Sequence, residues 1–150
     1  MTIAYLVDTN VLIYSYDTVT TFKRQRALDV LTGLDAGRAG AVSAQVLGEF
    51  YHVATRRMAS RLSPAEAERT INRFLRSWVV YDISGWAVGE AVQASSHYQM
   101  SYWDALIWAT AKLNRVPTVL SEDFQHGRLL EGVRFVNPFA PDFDLEPLAG

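Results

Sequence analysis

The chain has 150 residues, 49% of them hydrophobic and 20% charged, a composition that fits one globular domain with a core of its own and excludes a disordered chain. It contains no cysteine, so disulfides, thiolate metal sites and cysteine nucleophiles are ruled out, and a bound metal would need oxygen or histidine ligands. The formal net charge of −2, taken alone, argues against a nucleic-acid partner.

Residues 3–7 form a short continuous apolar run that stops at Asp8, the pattern of a strand buried on both faces of a parallel sheet. That run is too short for a signal-peptide core and has no basic flank, and no stretch approaches a membrane span, so a cytoplasmic protein without membrane contact is expected. Residues 11–16 and 21–34 read as helices, the second with Ala27, Leu28, Leu31 and Leu34 three and four apart, before Asp35, Gly37 and Gly40 break the chain. Ala41 and Val42 read as a second strand, and Ser43 caps a helix to about Arg57. In Ser63-Pro64-Ala65-Glu66 a cap residue, proline at the first helical position and Glu three after the cap coincide, which is the clearest local signal in the chain.

That helix is expected to end near Ser77, ahead of a strand at 78–81, and Ser84 caps a further helix towards Tyr98. Ser101 opens a helix over 102–114, and Pro117 precedes an apolar strand at 118–120. Gly127 and Gly132 punctuate a short helical stretch, 133–136 is a last strand, and Asn137-Pro138 ends regular structure. The alternation predicts a single α/β domain over residues 1–138, with an open, mainly parallel sheet of four to five short strands in a three-layer arrangement, helices on both faces, and an acidic, proline-containing tail at 139–150. Ligands of such sheets bind beyond the carboxyl ends of the strands, where Asp8 and Asp123 fall.

Four separated carboxylates stand out, each with a plainer structural reading beside it. Asp8 follows a buried strand, although it could simply cap the next helix, a task Thr9 or Asn10 could equally perform. Glu49 lies at the edge of the apolar stripe Val46, Phe50 and Val53, facing a rim or cavity, or else pairing with Arg56. Asp104 sits in a helix that is apolar nearly all round and is therefore expected to be deeply buried. A buried carboxylate needs a cation, strong hydrogen bonds or a raised pKa, and the Ser101-x-x-Asp104 spacing offers local capping as one source of bonds. Asp123 follows a strand; alternation puts it on the same side as Ser121, with Glu122 opposite, unless it caps the turn at Phe124.

Several oxygen ligands suit Mg2+ or Mn2+, which keep waters and bridge to phosphate, whereas His52, His97 and His126 have no ligand-pair spacing. Setting aside the three tail acids Asp142, Asp144 and Glu146 and the four carboxylates leaves nine acids against 14 Lys and Arg, so the remaining surface is basic. Arginine dominates those cations, in clusters such as Arg56, Arg57 and Arg61, and these are either solvated helix faces or bidentate phosphate contacts.

The segments Val7-Asp8-Thr9-Asn10-Val11-Leu12, Ser43-x-Gln45-Val46-Leu47-x-Glu49-Phe50, Asp104-Ala105-Leu106-Ile107 and Leu120-Ser121-Glu122-Asp123-Phe124, in this order, resemble the PIN-domain family, and most of all its VapC-type toxins. The resemblance implies a PIN-like fold and places Asp8, Glu49, Asp104 and Asp123 on the family's acidic quartet, which holds Mg2+ or Mn2+. It also implies that Ser121, Thr9 and Asn10 support the site, and that the protein is an endoribonuclease toxin, a homodimer, inhibited by a cognate antitoxin. The implied chemistry is hydrolysis of RNA phosphodiester bonds by a metal-activated water. Asp8 and Asp104 are then the primary ligands, Glu49 and Asp123 serve a second ion or the attacking water, and His52, Arg56 and Arg57 position the RNA backbone. Two rivals remain: a non-catalytic α/β module that binds RNA or protein, and an aspartyl-phosphate phosphatase of the haloacid-dehalogenase type, which would need Asp where Asn10 stands.

Overall fold

The computed structural model describes residues 2–149. Its strands and helices, in chain order, are β1 (Tyr5–Val7), α1 (Thr9–Tyr14), α2 (Thr21–Gly37), β2 (Gly40–Ser43), α3 (Ala44–Arg56), α4 (Pro64–Ser77), β3 (Val79–Tyr81), α5 (Gly85–His97), α6 (Tyr102–Leu113), β4 (Thr118–Leu120), β5 (Leu129–Leu130) and β6 (Val133–Val136). A 3-10 turn follows at Glu146–Ala149.

One sheet has the order β3-β2-β1-β4-β6-β5. Every pair is parallel except the edge pair β5–β6. From β1 the chain steps outward to β2 and β3, then returns across the sheet to β4 on the other side of β1. Right-handed crossovers put α1 to α4 on one face and, after the reversal, α5 and α6 on the other. The carboxyl ends of β1 and β4 therefore flank a topological switch point, the position at which open α/β sheets take their ligands in a crevice between the helical layers.

Strands buried on both faces explain the unbroken apolar runs: Leu6, Val7, Ala41, Val42, Val119 and Leu120 are all fully buried. The helix starts follow the capping residues. Ser63 and Glu66 form a complete capping box, and Ser43, Ser84 and Ser101 each accept from a backbone N–H in the first turn. Among the described residues no helix is long and apolar enough to cross a membrane.

The sheet has six strands rather than four to five, because residues 127–132 hold no helix. Glu131 (φ 46°) and Gly132 (φ 86°) both take positive φ, the conformation of a two-residue type I′ hairpin turn, and this folds β5 back onto β6. The helix before β2 also runs further than expected, through Asp35 to Gly37, and stops at Arg38 in the left-handed conformation (φ 51°).

The segment after Asn137 returns to the body of the fold. Phe139 and Leu148 are buried, and Arg26 donates to the carbonyls of Pro138 (2.6 Å) and Ala140 (3.4 Å). Leu148 lies over Gly33 of α2, where an added Cβ would come within 3.3 Å of it.

Candidate active site

Asp8 is the centre of the site and is only 3% exposed. It caps α1 itself, Oδ1 accepting from Thr9 N–H at 2.7 Å, so the local reading of this residue is correct and neither Thr9 nor Asn10 takes the cap. Its other oxygen faces β4, accepting from the Ser121 hydroxyl (2.7 Å) and, more weakly, from the Asn10 amide (3.4 Å). The same Asn10 Nδ2 donates to Ser121 Oγ (3.1 Å) and Asp123 Oδ2 (3.3 Å). Asp123 N–H donates to Ser121 Oγ at 3.1 Å, while Glu122 turns the opposite way. The alternation read from the sequence is the one observed.

Glu49 comes from α3 and Asp104 from the first turn of α6, in the two helical layers on either side of the crevice. The layers touch there, Gln45 Nε2 donating to the Trp103 carbonyl at 3.1 Å. Asp104 is half-buried rather than deep: α6 is enclosed over residues 105–111, but its first turn emerges at the rim, so Asp8 is the deeply buried acid. Ser101 Oγ accepts from Asp104 N–H (3.1 Å) without the return bond of a full capping box. Glu49 makes no ion pair with Arg56 among the described residues.

Asp8, Glu49 and Asp104 are all raised, each in part by the charge of another acid of the set. Burial pushes the Asp8 carboxyl up to about 7; the bonds from Ser121 and Thr9 pull it back, and the charges of Asp123 and Glu49 raise it further. Glu49 is raised by burial and by Asp104 and Asp123, with Gln45 and Thr9 nearby opposing the rise. Asp104 is raised by burial and by Asp123, with Ser101 opposing. No Lys or Arg pairs with any of these acids among the described residues.

The residues present fit a hard divalent cation. The three buried side-chain polar atoms without a hydrogen-bond partner among the described residues are all oxygens of one neighbourhood, Glu49 Oε1, Gln45 Oε1 and Thr9 Oγ1. The Thr9 hydroxyl can donate towards Glu49, whereas the Glu49 and Gln45 oxygens only accept, and such acceptors beside carboxylates raised by one another's charge suit a positive ion. In the present arrangement no three Asp, Glu, His or Cys side chains among the described residues are drawn closely enough to enclose an ion. The Asn10 amide holds Asp8, Ser121 and Asp123 at hydrogen-bond spacing instead.

His52, Arg56 and Arg57 are exposed on and just after α3 and make no side-chain hydrogen bond or ion pair among the described residues. Sequence reasoning missed the partners of Glu122, which are Lys23 and Tyr14. Nothing local in the sequence couples residues about a hundred positions apart.

Residues 5–129 match the model of the PIN domain. The chain belongs to the PIN-domain family. All four carboxylates of this PIN domain lie inside the matched span, and β6 and the segment after it lie outside. No curated protein matches the sequence. Among solved structures, the PIN fold here is similar to a toxin–antitoxin complex from Klebsiella pneumoniae (TM-score 0.62, 22% identity, covering 89% of this chain and 97% of that one). It is also similar to VapBC2 from Rickettsia felis bound to a promoter DNA fragment (TM-score 0.62, 15% identity, 90% and 97% covered). A third is the Mycobacterium tuberculosis VapC20, a toxin that cleaves the sarcin–ricin loop (TM-score 0.67, 18% identity, 87% and 98% covered). At these identities the likeness is one of fold.

Proposed function

We propose that this PIN domain is an endoribonuclease dependent on Mg2+ or Mn2+ and the toxin of a toxin–antitoxin pair. The observation that carries the reading is the convergence of Asp8, Glu49, Asp104 and Asp123 on one place, with Asp8 buried and paired with no cation among the described residues, and the Glu49 and Gln45 acceptor oxygens without a hydrogen-bond partner among them. The toxin role and the antitoxin that would occupy the groove are supported by the company of the fold, which includes toxin–antitoxin complexes and a toxin that cleaves the sarcin–ricin loop; the homodimer rests on the family resemblance alone.

Asp8 and Asp104 would hold the ion directly, and Glu49 and Asp123 would bind a second one or orient the attacking water. A bound Mg2+ or Mn2+ supplies Lewis-acid stabilisation of charge on the phosphoryl oxygens and lowers the pKa of water at the site. The chain contributes the rest. Thr9 N–H and Ser121 Oγ–H fix the plane of the Asp8 carboxylate, and Asn10 sets its distance from Asp123. Glu49 Oε1, without a hydrogen-bond partner among the described residues, can accept a hydrogen bond from a water. The exposed Arg56, Arg57 and His52 offer donors to the RNA backbone on the α3 side. A phosphatase using two aspartates is not supported, since the second position is Asn10, spent as a hydrogen-bond donor to acids.

The test is cleavage of total bacterial RNA, read by gel and by end sequencing. Cleavage is expected to stop with EDTA, return with Mn2+, and vanish in Asp8→Asn and Asp104→Asn. RNA binding without metal-dependent cleavage would instead assign a non-catalytic binding module.

A further inference from the structure

Residues 121–128 carry no helix or strand. Backbone bonds to β6 tie the loop down at Ser121 (N–H to the Val136 carbonyl, 3.0 Å) and at Gly127 (N–H to the Phe135 carbonyl, 2.7 Å), and Phe124 stacks on Phe135, but between Ser121 and Phe124 the segment that carries Asp123 is held by side-chain contacts. Glu122 supplies them. Its Oε2 lies 2.7 Å from Lys23 Nζ on α2, and its Oε1 accepts from the Tyr14 hydroxyl on α1 at 2.8 Å. Lys23 also donates to Tyr14 Oη (3.2 Å), and its ammonium sits 4.6 Å from the centre of the Tyr14 ring. Phe139 packs edge-on against that ring at 5.0 Å, so two helices, the loop after β4 and the C-terminal segment meet at one point.

Besides the backbone that joins Glu122 to Ser121 and Asp123, one residue connects this cluster to the acids. Glu122 N–H donates to Asn10 Oδ1 (3.4 Å), while Asn10 Nδ2 touches Asp8, Ser121 and Asp123. Pairing with Lys23 also keeps the charge of Glu122 turned out of a crevice that already holds four carboxylates. We infer that Lys23, Glu122 and Tyr14 form a positioning clamp that fixes the loop carrying Ser121 and Asp123 against Asp8, and so sets the affinity of the site for its divalent ion. The inference rests on the metal-site reading above.

Lys23 and Glu122 are partly exposed, and a pair of that kind contributes little to folding. Removing it should therefore change metal affinity far more than stability. Mn2+ binding is measured by calorimetry on the full chain. Lys23→Met and Glu122→Gln are expected to raise the Mn2+ dissociation constant about tenfold, the lower end of what losing a partner behind a metal ligand does. Their melting temperatures should stay near wild type, and in the RNA assay kcat should fall with little change in KM. Lys23→Arg should stay near wild type, and the charge swap Lys23→Glu with Glu122→Lys should recover most of the affinity that each change alone loses. Lys112→Met, which breaks the pair with Glu90 and Glu131 on the α5–α6 side, serves as the control and should leave binding unchanged. Mn2+ affinity within about twofold of wild type in both Lys23→Met and Glu122→Gln, or losses that add in the swap, would overturn the clamp. Failure of the wild-type chain itself to bind Mn2+ would overturn the metal-site reading, a distinct result.

Discussion

Asp8 bears two opposed demands. Its position caps α1 and faces Ser121 across the switch point, yet burial and like charges hold its carboxyl at about 7. A folded-state pKa above the unfolded value means that the folded chain keeps the proton longer, so the ion-free protein is favoured at low pH. That stability is fully present below the ordinary carboxylate value of 3.8 and is lost as pH rises through about 7. In chelator, the melting temperature of the wild type should therefore fall between pH 5 and 8, and Asp8→Asn should flatten the slope and melt a few degrees higher at pH 8, at roughly 2–4 °C per kcal/mol for a chain of this size. Because a metal ligand must be deprotonated, Mn2+ affinity should also weaken as pH drops below about 7. Arg56→Ala and Arg57→Ala act on a different step. If they touch only RNA phosphate they should raise KM and leave kcat nearly unchanged, as steady-state kinetics would report.

At the scale of elements, what could be read from the sequence was what local chemistry determines. Ser63-Pro64-Ala65-Glu66 marks its helix start without help from the rest of the chain, and the observed capping box has both bonds, 3.0 and 3.1 Å. Ser63→Ala should cost about 1 kcal/mol, measured by denaturant unfolding. Residues 127–132 were misread because a glycine at each end suits either a capped helix or a hairpin, and only the positive φ of Glu131 beside Gly132 decides it. Asp104 was expected to be deep because the apolar run around it is continuous, but sequence pattern does not say where along a helix the crevice opens. Gly40 carries a signal visible only in three dimensions. An added Cβ there would lie 2.7 Å from the Trp78 ring and 3.1 Å from Leu34 Cβ. Gly40→Ala should destabilise the protein by about 1–3 kcal/mol through overpacking of β2 against this ring.

The whole molecule is what makes the site. Asp8 and Asp123 come from adjacent strand ends, Glu49 and Asp104 from helices on opposite faces of the sheet, and the reversal of strand order between β1 and β4 is the reason they meet. The C-terminal segment belongs to the same body, since Phe139 backs the Lys23–Tyr14 contact and Leu148 closes over Gly33. Leu148→Ala should lower stability by about 2 kcal/mol or more, a core-sized loss from a residue near the end of the chain. The central claim is that these four carboxylates hold a divalent cation, and the most direct test is an anomalous difference map from crystals of this protein soaked in Mn2+. The account predicts a peak with Asp8 and Asp104 oxygens at about 2.1 Å, a distance typical of a small hard cation, and no such peak in Asp8→Asn. A peak elsewhere on the surface, with the Asp8, Glu49, Asp104 and Asp123 crevice empty at saturating Mn2+, would contradict it.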